Sequence, residues 1–157
     1  MAREARQPPE ATALLPVDEI DRAVAKVLDV PLHRFVGLEL VHQQPGKSHA
    51  RVIAVPNTLN NVGVVHGGIY YALLDASAYL AVIPLLRSGE NAVTHDIHVS
   101  MMRPVAEGQI LDLHGQVTRR GRSLIFAEAE ARVGDKLIAT ARVTKSVVVR
   151  SMSEPNT

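Results

Sequence analysis

The amino-acid sequence predicts an α+β domain in which a curved antiparallel β-sheet wraps around one long central helix, with an extra helix on the N-terminal side. Three observations predict it. Residues 69–86 are apolar apart from Asp75 and Ser77, and a helix that is apolar nearly all round must be enclosed on most sides. Four later segments alternate apolar with polar residues at period two, as strands with one covered face do. The 157 residues contain no internal repeat and suffice for one domain with a real core. Its filling is aliphatic, because hydrophobic residues make up 46% of the chain and aromatics only 3%.

Taken in order, residues 1–16 read as a flexible polar tail and residues 17–150 as the domain. Val17, Ile20, Val24, Val27 and Leu28 fall at helical spacing. Asp18 and Glu19 sit in the first turn, where acids favour the dipole, and Pro31 is expected to stop this helix. Gly37 to Val41 and Ser48 to Val55 read as strands joined at Pro45-Gly46. Pro56 to Val65 is a polar loop, and the central helix runs from near Gly67 to about Pro84. Four strands follow. In the first, Val93, Ile97, Val99 and Met101 alternate with Thr94, Asp96, His98 and Ser100. The second covers 109–119, the third 123–133 and the fourth 137–149. Arg119-Arg120-Gly121-Arg122 makes a basic turn, and Gly134-Asp135 is a hairpin signal. Residues 151–157 read as a loose C-terminal tail.

Several function classes are excluded at this level. The formal charge is +1 with acids and bases interspersed, so neither a nucleic-acid footprint nor a polybasic membrane anchor is expected. The chain has no cysteine, which excludes disulfides, thiolate metal sites and a cysteine nucleophile. The first residues lack an apolar run and do not read as a secretory signal, so the cytoplasm is the expected location. The apolar stretch approaches the length of a membrane span, about 18–20 residues. Asp75 would then lie near mid-bilayer, however, and Pro84 interrupts the end, so a helix buried inside a soluble fold is expected. His95, Asp96 and His98 place only two ligands on one strand face, and no metal site is expected.

Chemistry concentrates between Asn60 and Asp75. His66-Gly67-Gly68 brings bare backbone to a helix start, where the first N–H groups lack internal partners and the dipole is positive. Glycine lets a ligand approach closely. A carbonyl that gains negative charge would be stabilised there. Asp75 lies on a helix otherwise almost free of charge, so a buried, unpaired carboxylate with a raised pKa is expected. Gly67 and Asp75 are separated by about 12 Å of helix axis. One helix therefore cannot present both to one carbonyl. Two antiparallel copies can, which places a shared site across a two-fold interface.

Val65-His66-Gly67-Gly68, then Leu74-Asp75-Ala76, then Met102-Arg103-Pro104-Val105 with Gly108, resembles the phenylacetate-degradation (PaaI-type) branch of the hotdog-fold thioesterases over residues 57–148. The resemblance implies a hotdog fold and an acyl-CoA thioesterase, with Asp75 as general base or nucleophile. It implies Gly67 as oxyanion donor, Asn60 to position water or carbonyl, His66 to support the loop and Thr94 to orient the water. Gly68, Arg103 and the basic-turn residues Arg119, Arg120 and Arg122 are the candidate substrate contacts, since arginine suits the phosphates of coenzyme A. No cofactor is expected, coenzyme A being part of the substrate. A homodimer is required and a homotetramer expected. Two rivals remain at this level: a hotdog enoyl-CoA hydratase or dehydratase, and a non-catalytic acyl-CoA-binding module.

Overall fold

The computed structural model describes residues 13–149. Helix α1 spans Val17–Leu28 and α2 Pro31–Val36. Strands β1 (Glu39–Gln44) and β2 (Lys47–Ile53) form a hairpin. The long helix α3 spans Gly67–Val82. The strands β3 (Glu90–Met101), β4 (Ile110–Arg120), β5 (Leu124–Val133) and β6 (Lys136–Val149) follow. They make one antiparallel sheet in the order β1-β2-β4-β5-β6-β3. Among the described residues β3 stands at an edge, paired with β6 alone.

The sheet exists to cover α3. Leu73, Leu74, Leu80 and Ile83 are fully buried, and each contributes roughly 2 kcal/mol of burial. Across from them lie Ala50, Val52, Leu111, Leu113, Ala127, Ala129 and Ala139, the inward-facing positions of β2, β4, β5 and β6. The segment Gly67–Leu85 has the length and composition of a membrane span, yet most of it is buried inside the domain. Helix α1 packs Val24 and Val27 on the same core. At Gly115 a Cβ would stand 2.4 Å from the Ser77 carbonyl oxygen, so only glycine lets β4 approach the helix this closely. There the Ser48 hydroxyl donates to the Ser77 carbonyl at 2.7 Å.

Four local expectations are corrected. Pro31 does not merely stop a helix. It occupies the first turn of α2, where its missing N–H costs nothing. Gly37, read as a strand start, caps that helix in the left-handed region at φ 70°. The supposed tail is tied down at its inner end, where Leu15 N–H donates to the Leu86 carbonyl and Ser88 N–H to that of Ala13. The rest of that tail, residues 1–12, lies outside the described residues, as does the C-terminal tail at 151–157. Finally, β3 does not alternate strictly. Its register against β6 shifts between Thr94 and Asp96. His95 is the extra residue of a bulge, which turns Val93 outward and leaves Ala92 and Val99 buried.

Candidate active site

The bulge places Thr94 where the polar alternation alone would not. Thr94 and Lys145 are direct cross-strand partners. Lys145 continues the inward register of Ala139, Ala141 and Val143 on β6, and its side chain is only 2% exposed. Both side chains meet Asp75 of α3. The Thr94 hydroxyl donates to Asp75 Oδ1 at 2.7 Å, and Lys145 Nζ donates to the same oxygen at 2.8 Å. Lys145 Nζ also donates to Thr94 Oγ1 at 2.8 Å. The three groups close a ring of hydrogen bonds, with the Tyr79 ring 5.1 Å from Nζ. Oδ2 of Asp75 accepts no hydrogen bond among the described residues.

This corrects the expectation of an unpaired, buried carboxylate. Asp75 has a cation, and its side chain is 34% exposed in the single chain. The perturbed group is Lys145. Burial pushes its ammonium below the usual lysine range, and the Asp75 charge and hydrogen bond oppose that shift. Sequence reasoning missed Lys145. A signal was present, since it falls on the inward-facing odd positions of the last strand.

At the start of α3, His66 is the N-cap, and its Nδ1 accepts from Gly68 N–H at 3.0 Å. The Gly68 amide is thus engaged within the loop. The Gly67 N–H has no hydrogen-bond partner among the described residues. Gly67 also packs closely, because a Cβ there would stand 3.3 Å from the Met101 sulfur. Asn60 folds its own loop, its Oδ1 accepting from Val62 N–H at 3.0 Å and Val64 N–H at 3.2 Å. The structure therefore gathers Asp75 and Thr94, and gathers His66, Gly67 and Gly68, as two separate groups along one helix.

The arginines are spread out. Arg103 donates to the Leu137 carbonyl at 2.6 Å and ties β3 to the β5–β6 hairpin. Arg120 pairs with Glu90 at 2.5 Å in a mostly buried bridge and also donates to the Gly121 carbonyl, so it is held within the fold. Arg119 and Arg122 are exposed. His95 lies against the Ser146 hydroxyl at 3.3 Å. A groove of about 410 Å³ opens between α1 and the end of α3, lined by Leu15, Val27, Tyr79, Leu86 and Asn91 among others. The Tyr79 hydroxyl donates to Asn91 Oδ1 at 2.5 Å and forms one wall.

The long helix and its wrapping sheet are shared with known proteins. The model of the thioesterase superfamily matches residues 62–135. A phenylacetic acid degradation-related protein from Ralstonia eutropha superposes with a TM-score of 0.73 at 28% identity, covering 81% of this chain and 98% of that one. The chain is PaaI-like: its fold and the segment that the superfamily model matches are similar to those of hotdog thioesterases. It is a thioester hydrolase. Zebrafish thioesterase superfamily member 2 shares the fold of this thioesterase at a TM-score of 0.73 and 26% identity, over 84% of this chain and 98% of its own. Human acyl-coenzyme A thioesterase 13 is 28% identical over 130 residues, 81% of this chain and 91% of the human protein.

Proposed function

We propose that this thioesterase hydrolyses acyl- or aryl-coenzyme A thioesters to the free acid and coenzyme A in a site shared between two copies. The observation that carries the reading is the state of Asp75. One oxygen is held by Thr94 and Lys145, and the other is open. The Gly67 N–H, at the positive end of the same helix, is the matching oxyanion donor. Along the axis the two are about 12 Å apart, so Gly67 of one copy serves Asp75 of another. The similarity to human acyl-coenzyme A thioesterase 13 supports the choice of a coenzyme A thioester.

Water attacks the thioester carbonyl while Asp75 takes its proton, and the negative charge develops on the carbonyl oxygen facing the Gly67 N–H. The tetrahedral intermediate then expels the thiolate as the C–S bond breaks, and the proton on Asp75 passes to sulfur. If Asp75 instead attacks directly, a mixed anhydride forms, and water cleaves it in a second step. Asn60 and His66 hold the loop before the oxyanion donor. The exposed Arg119 and Arg122 are the basic groups available to the nucleotide phosphates. The acyl group takes the apolar slot beside the central helix, and the groove walled by Tyr79 and α1 is the candidate. We place the enzyme in the cytoplasm as a dimer or a tetramer of dimeric pairs.

A thiol-release assay over short, medium, long and aromatic acyl-CoAs identifies the substrate class. The shared site has a sharper test. Gly67→Pro deletes one amide at the first helical position, where proline is tolerated. Asp75→Asn deletes the carboxylate. Each variant alone is expected to be inactive. Mixed after dissociation and reassembly, the two regain about a quarter of wild-type activity, because half the pairs are mixed and each has one intact site. Mixing without recovery would refute a site formed between chains.

A further inference from the structure

We infer that Lys145 is a positioning residue for hydrolysis: with Thr94 it immobilises Oδ1 of Asp75 and leaves Oδ2 as the oxygen that meets water or thioester. The inference deepens the assignment of Asp75 above and rests on it.

The direction of each hydrogen bond follows from donor chemistry. An ammonium has three donors and no acceptor. Lys145 therefore donates to both Asp75 Oδ1 and Thr94 Oγ1, at 2.8 Å each. With its lone pair engaged by Lys145, the Thr94 hydroxyl turns its proton to Asp75, at 2.7 Å. This polarity departs from the family expectation for Thr94. Its one proton is committed to the carboxylate, so it cannot be given to a catalytic water. Thr94 holds Asp75, and Lys145 sets the direction in which Thr94 does so.

Burial makes the point stronger. Lys145 is 2% exposed at a position whose strand neighbours in register are Ala139, Ala141 and Val143. A methionine of similar length would fill that space without desolvating a charge, and such replacements are often neutral or stabilising. The groups facing Nζ are Asp75 and Tyr79 from α3 and Thr94 from β3. Its register partner on β5 is Ile125, which has no charge. Asp75 is thus the one carboxylate that compensates this ammonium among the described residues.

The network has a titratable switch of direction. A neutral amine can accept from Thr94, which would free Oδ1 and release the carboxylate's orientation. Desolvation lowers the point at which Lys145 loses its proton. Hydrolysis should therefore fall on the alkaline side, below the range of an ordinary lysine.

The experiment is the pH profile of kcat and kcat/KM for wild-type enzyme and for Lys145→Met, Lys145→Arg and Asp75→Asn, on the best acyl-CoA of the panel, with fold checked by circular dichroism. Lys145→Met is expected to lower kcat about a hundredfold, the cost of a misplaced reacting group. Its KM should stay within about twofold, because Lys145 does not touch substrate. Lys145→Arg should recover part of kcat and lose the alkaline limb, since a guanidinium does not titrate there. A folded Lys145→Met enzyme with wild-type kcat and an unchanged alkaline limb overturns the proposal. Should Lys145→Met fail to fold, an alkaline limb in Lys145→Arg that matches wild type overturns it equally. A wild-type profile that stays flat through the whole lysine range does so without any variant. Full activity in Asp75→Asn sinks the assignment of Asp75 instead, which separates the two failures.

Discussion

Two polar clusters grip the same helix a fraction of a turn apart, and they are built to opposite ends. At Ser48, Ser77 and Gly115 the cluster is closed. The Ser48 hydroxyl donates to the Ser77 carbonyl, both residues are buried, and Gly115 has no side chain to hold the strand away. At Asp75, Thr94 and Lys145 the cluster is closed on one side only. Oδ1 has two donors, and Oδ2 has none among the described residues. The Asp75 side chain is 34% exposed, so this second oxygen is accessible and free to meet water or a ligand. The first cluster locks the helix to the sheet. The second uses that lock to hold a reactive oxygen still.

The comparison can be broken by substitution on either side. The largest effect belongs to the open cluster. Asp75→Asn should reduce kcat at least a thousandfold, roughly 4 kcal/mol of barrier, while thermal unfolding shifts little because the side chain is partly exposed. A large loss of stability with activity retained in the folded fraction would put Asp75 in the same class as the serine clamp. On the closed side the order is reversed. Gly115→Ala drives a Cβ against a backbone oxygen and should cost roughly 3 kcal/mol of stability, the upper end for overpacking. Denaturant titration measures it, and the protein that remains folded should keep its kcat.

Smaller effects sharpen the boundary. Ser48→Ala removes one donor to a carbonyl that already lies within a helix, and should cost about 1 kcal/mol with unchanged kcat. Tyr70 is a further contrast, a hydroxyl that is buried with no partner among the described residues and far less exposed than Asp75. Burial pushes its phenol up to about 12 from the ordinary 10.0. Its folded value lies above its unfolded one, so the Tyr70 contribution to stability is intact below pH 10.0 and is lost as pH rises towards about 12. Tyr70→Phe should change stability near neutrality by less than about 1 kcal/mol and should flatten this alkaline loss. Denaturation midpoints taken at neutral and alkaline pH test the sign.

Much of this architecture was legible beforehand, for identifiable reasons. An apolar run of four helical turns that carries Asp75 at its middle and Pro84 at its end reads as a core helix, and α3 follows. Gly134-Asp135 and Pro45-Gly46 mark hairpins because their backbones make tight turns, and β5–β6 and β1–β2 turn there. Asp75 drew attention as the lone charge on an apolar helix. What escaped was non-local. Helix α2 was hidden because Pro31 both ends one helix and begins the next. The alternation of β3 misled because one inserted residue, His95, reverses the facing of every position before it. Arg120 read as a free basic group, and its partner Glu90 sits thirty positions away in the chain.

By itself the sequence determined the periodicities, and with them the central helix, the strands and the placing of one carboxylate amid apolar residues. These are properties of short windows, in which each residue is judged against neighbours a few positions away. Only the tertiary structure decided that the carboxylate has a partner. Asp75 and Lys145 are separated by 70 positions in the chain, and a single bulge brings Thr94 to complete the ring. No local window contains that contact, because the sheet register creates it when β6 pairs with β3 and closes over the helix.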